Sequence, residues 1–253
     1  MRMAKGFALL GVILLVCAAL AGCGGSKQEV LRVGTEATFP PFETTDENDN
    51  IVGFDIDLIK KIAEYNEWEL EIVHMDFHVL IEELSTDKID IVIAAMTIDE
   101  ERAEKVLFSE PYFDAYQCLV VREDEDRDIT VDNIAEQGLI IAVQMGTTGS
   151  FAAEDIYGNA DHPNIKQLKR ANEAFMELKS NRADVVIIDK PVAENYIRHL
   201  GGMKILGQPF TNEQYGIAVK KGNTELMDKI NSALAKMKDN GDYDAIFKKW
   251  FGE

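Results

Sequence analysis

Basic residues are scarce in this chain: 26 lysines and arginines stand against 45 aspartates and glutamates, a net charge of −19. A surface of that sign repels nucleic acid phosphates and argues against that partner. It favours solubility and steers cations weakly. Cysteine is nearly absent. Of Cys17, Cys23 and Cys118, the first two fall in an N-terminal segment, so no intrachain disulfide is expected. Cys118 lies in the apolar, strand-like run Gln117-Cys118-Leu119-Val120-Val121, which reads as a buried inert thiol rather than a nucleophile. His74, His78, His162 and His199 are scattered without metal-ligand spacing, so neither a metal nor a cofactor is expected. No apolar run as long as Phe7 to Leu20 recurs, and no low-complexity linker divides the rest of the chain.

What the N-terminus does contain is specific. Arg2 and Lys5 give a basic start, Phe7 to Leu20 is apolar apart from Gly11, and Leu20-Ala21-Gly22-Cys23 leads into Gly24-Gly25-Ser26. A basic start, a short apolar run and small residues at a cleavage point describe an export signal. The run is near the lower limit for a membrane span, and an uncut N-terminal anchor is the competing reading. Leu-Ala-Gly-Cys resembles the bacterial lipoprotein processing box. The resemblance implies a signal peptide over residues 1–22, lipid on Cys23, a tether over 23–27, and an exported protein held to the cell membrane. Removing Arg2 and Lys5 takes the net charge from −19 to −21. The remaining length suits one or two domains with a sizeable core.

From residue 30 onward strand-like and helix-like segments alternate. Val30–Gly34, Glu69–His74, Ile89–Ile93, Leu139–Val143 and Val185–Ile188 read as strands. Ile59, Ile62 and Ala63, then Phe77–Leu84, Phe151–Ile156 and Ala171–Leu178, read as helical. The alternation predicts an α/β protein with helices on mostly parallel sheets. Leu84-x-x-x-Lys88-x-Asp90-Ile91-Val92-Ile93 is echoed by Leu178-x-x-x-Arg182-x-Asp184-Val185-Val186-Ile187. The echo suggests two lobes of similar local topology, although any two α/β units share some likeness. At the end, Leu226, Ile230, Leu234 and Met237 form one helical stripe, Asn240-Gly241 a stop, and Tyr243, Ile246, Phe247 and Trp250 a second stripe.

In open α/β sheets ligands bind beyond the carboxyl ends of the strands. Four such ends carry Glu36 with Phe39, Ala94-Ala95-Met96-Thr97 with Arg102, Gly146-Thr147-Thr148, and Asp189. Arg102 can grip a carboxylate with two parallel hydrogen bonds. Asp189 can take an ammonium. Gly146-Thr147-Thr148 opens a helix whose free N–H groups suit an anion. Thr97 adds a hydroxyl, and Phe39 and Phe77 can flank a side chain. Each has a plain structural alternative. Thr97-x-x-Glu100 is also a capping box, Asp189 before Pro191 can cap a helix, Arg102 and Glu36 can be solvated, and both phenylalanines can be core. The case for a site rests on all of them falling at strand ends.

Taken in order, several blocks resemble one family, the extracellular solute-binding proteins, family 3, of polar amino acid ABC transporters. They are Leu31–Thr35 with Phe39-Pro40-Pro41-Phe42-Glu43, Val52–Leu58, Ala94–Ile98 with Glu101-Arg102, Phe108–Tyr112, Gln144-x-Gly146-Thr147-Thr148-Gly149, Ile188-Asp189, Asn240–Tyr243 and Lys249-Trp250-Phe251. The likeness spans about residues 30–252. It implies a two-lobed, hinged, type II periplasmic-binding-protein fold, with lobe one at 28–115 and 214–253 and lobe two at 116–213. The crossings would lie near Ala115-Tyr116-Gln117 and Thr211-Asn212-Glu213. Carried over by position, Arg102 holds an α-carboxylate with help from Thr97 and Thr148, and Asp189 holds an α-ammonium. Phe39 and Phe77 line the side-chain pocket, and Glu36 stands where relatives for basic or amide side chains often have aspartate. Ala94 and Ala95 replace the serine or glycine of several relatives, so Ala95 and Met96 would offer backbone atoms.

The implied function is capture of a free L-amino acid for a permease and ATPase, by a monomer without catalytic chemistry. A basic ligand, arginine or lysine, follows from Glu36 with Phe39 and Phe77; glutamine, histidine or another polar amino acid is the alternative. A cyclohexadienyl dehydratase-like enzyme on the same fold is a second class, and a receptor's sensory domain a third.

Overall fold

The computed structural model describes residues 30–252, so the expectations for the signal segment and Cys23 lie outside the described residues. The chain first lays down β1 (Val30–Thr35), a small hairpin β2 (Thr44–Thr45) and β3 (Ile51–Val52), helix α1 (Phe54–Asn66) and β4 (Glu69–His74). A 3₁₀ turn at Phe77–Val79 runs into α2 (Leu80–Ser85), followed by β5 (Ile91–Val92), α3 (Glu100–Lys105), β6 (Val106–Phe108) and β7 (Phe113–Ala115). The second unit contains β8 (Gln117–Arg122), β9 (Ile141–Gln144), α4 (Thr148–Tyr157), β10 (Ile165–Leu168), α5 (Ala171–Lys179), β11 (Val185–Asp189), α6 (Lys190–Leu200) and β12 (Met203–Leu206). The chain then returns through β13 (Glu213–Tyr215) to β14 (Ala218–Lys220), α7 (Thr224–Asn240) and α8 (Asp242–Phe251).

Two five-stranded sheets result, ordered β4-β1-β5-β14-β6 and β10-β9-β11-β8-β12. They are mixed rather than mostly parallel. β1 runs parallel to β4 and β5, and β9 to β10 and β11. β14 and β8 are antiparallel to both of their neighbours. The cause is the connection. β7 and β13 form a separate antiparallel pair between the sheets, and β8 and β14 start from its two strands. Chain leaving that pair runs away from the crevice, against the parallel strands whose carboxyl ends arrive at it.

The repeated motif occupies equivalent places. Asp90 exchanges backbone with Arg32: its N–H donates to the Arg32 carbonyl (2.8 Å), and its carboxylate accepts the Arg32 N–H (2.8 Å). Asp184 does the same with Ile140, at 2.8 and 2.9 Å. Each second carboxylate oxygen takes an arginine at 2.8 Å, Arg32 for Asp90 and Arg127 for Asp184. The turns before them each need a left-handed residue, Asp87 and Asn181, both at φ 60°.

α1 forms because Phe54, Leu58, Ile59, Ile62 and Ala63 recur on one buried stripe, with Asp55 and Asp57 near the positive end of the helix dipole. α7 stops at Gly241, whose φ of 85° suits glycine, and α8 starts there. Phe54 and Phe42 then join α1 and α8 to the crossing pair: Phe54–Phe251 ring centroids lie 5.3 Å apart, Phe42–Phe113 4.8 Å and Phe42–Tyr215 5.2 Å. Cys118 is a buried free thiol in β8, and burial pushes its pKa up to about 12. Replacing Phe54 by alanine removes the ring at the centre of this cluster. It should cost about 3–5 kcal/mol, measured as a lower denaturant midpoint of cooperative unfolding. A loss within experimental error would mean that the cluster does not hold the first unit to the crossing strands.

Candidate functional site

The parallel strands of both sheets end at one narrow cleft. Glu36, Phe39, Glu43, Phe77, Ala94, Ala95, Thr97 and Arg102 line it from one side, and Gln144, Thr147, Thr148 and Asp189 from the other. Nine of the eleven predicted ligand contacts are therefore brought together. The other two are placed differently. Met96 is 1% exposed and packs with Phe77, Leu80 and Ala218, while its carbonyl accepts the Gly216 N–H at 3.0 Å. Gly146 meets the site through its carbonyl, on which an Arg102 Nη hydrogen bond ends at 2.9 Å.

Arg102 is 5% exposed. The sequence signal for a capping box misplaced the cap: Asp99 rather than Thr97 precedes α3, and its carboxylate accepts the Arg102 N–H at 2.8 Å. That frees the Thr97 hydroxyl for the cleft. The guanidinium gives one Nη bond to the Thr97 carbonyl (2.8 Å), the other to Gly146, and its Nε lies 3.1 Å from Asp99. Its carbon sits 5.5 Å from the Phe77 ring and 5.8 Å from that of Phe151. Burial lowers its pKa, against which Asp99 and Glu213 act. An arginine keeps its charge under such conditions, so the cleft holds a fixed cation.

Asp189 ends β11 and precedes α6, where Pro191 supplies the first-turn rigidity and no side-chain cap bond forms. Its carboxylate thus faces the cleft and accepts the Tyr215 hydroxyl at 2.5 Å. Burial first, and Glu213 second, push its pKa up to about 7. Glu36 is fully buried just past β1. It accepts both the Thr38 hydroxyl (2.8 Å) and, across the cleft, the Gln144 amide (3.0 Å). Burial raises its pKa, and these two donors oppose the rise.

Thr147 caps α4, with its hydroxyl accepting the Ser150 N–H at 3.2 Å. Thr148, one residue on, gives its hydrogen to Glu213 Oε2 at 2.7 Å, and Thr97 from the opposite side gives its own to the same oxygen at 2.7 Å. Glu213, Gln144 and Glu43 are the polar groups that sequence reasoning did not select. Gln144 had a readable signal, being the last residue of β9. Glu43 lay inside the motif block after β1 without being singled out, and Glu213 had no signal, because it reaches the site through β13 rather than from a parallel strand end.

The arrangement can bind at both ends a small molecule carrying an anion and a cation. It offers a buried guanidinium, two hydroxyls and helix N–H groups to the anion, and Asp189 to the cation. Phe39 and Phe77, 7% and 8% exposed, border the space beside Glu36.

The sequence signature of the bacterial extracellular solute-binding proteins, family 3, matches residues 31–253. The chain belongs to that family. A member from Bacillus subtilis, the arginine-binding extracellular protein ArtP, is 34% identical, with 98% of each chain covered. A probable histidine-binding protein of Neisseria gonorrhoeae is 32% identical over 94% of each. Among solved structures, an ancestral arginine-binding protein has been seen with arginine and with glutamine. It is 47% identical, covers 88% of this chain and 98% of its own, and superposes with a TM-score of 0.83. These are two-lobed amino-acid-binding proteins, as the sequence led one to expect.

The raised pKa of Asp189 has a direct consequence. A ligand ammonium needs the ionised carboxylate, so affinity should rise as pH rises toward and through about 7, then level off. In the ligand-free protein the same shift works the other way. The stability contributed by the protonated form is full below the ordinary 3.8 and lost as pH passes about 7. Calorimetric titration across that range should show proton release on binding that vanishes in Asp189→Asn. An affinity flat from acid to neutral pH would contradict the assignment.

Proposed function

We propose that the protein is the substrate-binding component of an amino acid ABC importer and that its ligand is a basic amino acid, arginine or lysine. One observation supports the ligand class best. Besides Arg102, Asp189 and Glu43, the buried carboxyl group of Glu36 faces the same cavity. A zwitterion's carboxylate and ammonium satisfy Arg102 and Asp189, and a second positive charge on the ligand side chain then answers Glu36. Phe39 and Phe77 would flank its methylene stem.

A polar amide ligand such as glutamine is the second reading, favoured by the Gln144 amide beside Glu36. Both readings describe binding without chemistry, which separates them from a dehydratase on the same fold. The lobes in this reading are 28–115 with 214–253, and 116–213, hinged where β7 pairs with β13. Ligand held from both sides would bias an open–closed equilibrium toward closure. The permease and ATPase would then receive the closed form, delivered by a monomer tethered through lipid on Cys23 outside the cytoplasm.

Mass spectrometry of ligand retained on purification, followed by calorimetry against the twenty amino acids, tests the class. Glu36→Gln should weaken arginine or lysine by about tenfold to a hundredfold, the scale of a lost hydrogen bond to a charged group, and barely change glutamine. Equal losses for charged and neutral ligands would remove the basic-ligand reading. Turnover of prephenate would replace binding by catalysis.

A further inference from the structure

Glu43 and Asp55 are 1% and 0% exposed, and neither takes part in the ligand grip of Arg102, Asp189 and Glu36. They lie together because two chain segments run side by side. The Phe54 N–H donates to the Pro41 carbonyl (2.9 Å), and the Asp55 N–H donates to the Phe42 carbonyl (3.0 Å). Gly53 permits the approach, since a Cβ there would fall 1.9 Å from the Phe42 oxygen.

Asp55 Oδ2 is fully engaged, accepting the Ala95 N–H at 2.7 Å and the Tyr112 hydroxyl at 2.8 Å. Its Oδ1 and both oxygens of Glu43 receive no donor from the described residues, and all three atoms are sealed from solvent. The pairing sets Asp55 beside Phe42, the neighbour of Glu43, and the two carboxyl groups act on each other. The charges that act on Glu43 are Asp55, Glu36 from the end of β1, and Asp189 from the second unit. Asp55 faces Tyr112, and Tyr243 of α8 feels its charge. Two neighbouring buried carboxylates, surrounded by acids and phenols, cannot readily both ionise. A single proton between them supplies the missing donor. Asp55 already accepts two hydrogen bonds, which favours the charge there and the proton on Glu43.

We propose that Glu43 and Asp55 share one proton at neutral pH and well above it, and that this acid pair is the brace which fixes the Ala95 turn of the ligand cleft. Ala95 has φ 45°, a left-handed conformation that alanine adopts only when held. The Asp55 carboxylate holds it by the N–H. Two residues on, the Thr97 carbonyl carries Arg102 at 2.8 Å, so the pair positions the turn from which the guanidinium is held. Glu43 also lines the cleft, and in this state it presents a neutral acid there instead of a further negative charge.

The brace exists without ligand, and only the affinity readout rests on the amino acid reading. Infrared spectroscopy of the ligand-free protein, at a pH well above the value of about 7 at Asp189, should show the carbonyl stretch of a protonated carboxylic acid. That band should vanish in Glu43→Gln, whose amide still donates to Asp55 and so should lose less arginine affinity than Glu43→Ala. Glu43→Ala leaves Asp55 unpaired and should weaken binding about tenfold or more. Absence of the band in the wild type overturns the proposal, as does a band that survives in Glu43→Gln. So does a loss of arginine affinity in Glu43→Gln as large as that in Glu43→Ala, which would make Glu43 an ionised ligand contact. Failure to bind any amino acid with the band intact would count against the transport reading and leave the brace standing.

Discussion

A guanidinium withdrawn from water has to be met by acceptors on every side, and for Arg102 those acceptors come from both halves of the protein. Thr97 and Asp99 supply them from its own unit and Gly146 from the other. An unmet buried charge costs several kcal/mol, so the two sheets have to present their strand ends to one another at a defined spacing. The antiparallel pairing of β7 with β13 sets that spacing. The cross-cleft bond from Gln144 to Glu36 and the Tyr196 hydroxyl on the Thr38 carbonyl (2.7 Å) agree with it. The cleft is therefore a meeting of backbone ends as much as a set of side chains.

Much of this was legible in the residues. The strand at Glu69–His74 lies where its pattern put it, and Asp189 is where the apolar run Val185–Ile188 gives out. Both facts follow from period and burial, which a sequence carries directly. The echo between Asp90 and Asp184 was legible for a related reason: each aspartate has to satisfy a backbone N–H of the neighbouring strand, a local requirement that recurs with the motif.

What could not be read depends on contacts between distant segments. Strand direction in β8 and β14 follows from the crossing pair, and nothing within either strand encodes it. Glu43 looks like an ordinary loop acid until Gly53 lets the 53–55 segment lie against it. Met96 shares a strand end with Thr97, yet its side chain is claimed by the core around Leu80. Adjacent residues at a turn point to opposite sides, so proximity in sequence overcounts the site there. Asp99 took the cap because it directly precedes α3, a two-residue distinction that Thr97-x-x-Glu100 obscured.

The two threonine hydroxyls carry a further implication. Each has one hydrogen to give, and without a guest both are spent on a single oxygen of Glu213. A guest carboxylate that claims either hydrogen must take it from that oxygen, so arrival exchanges one anion's solvation for another's. Because Glu213 begins β13, the strand loses a tether to one half or the other at the moment the guest gains one. A guest carboxylate and Glu213 therefore compete for the same two hydroxyl hydrogens.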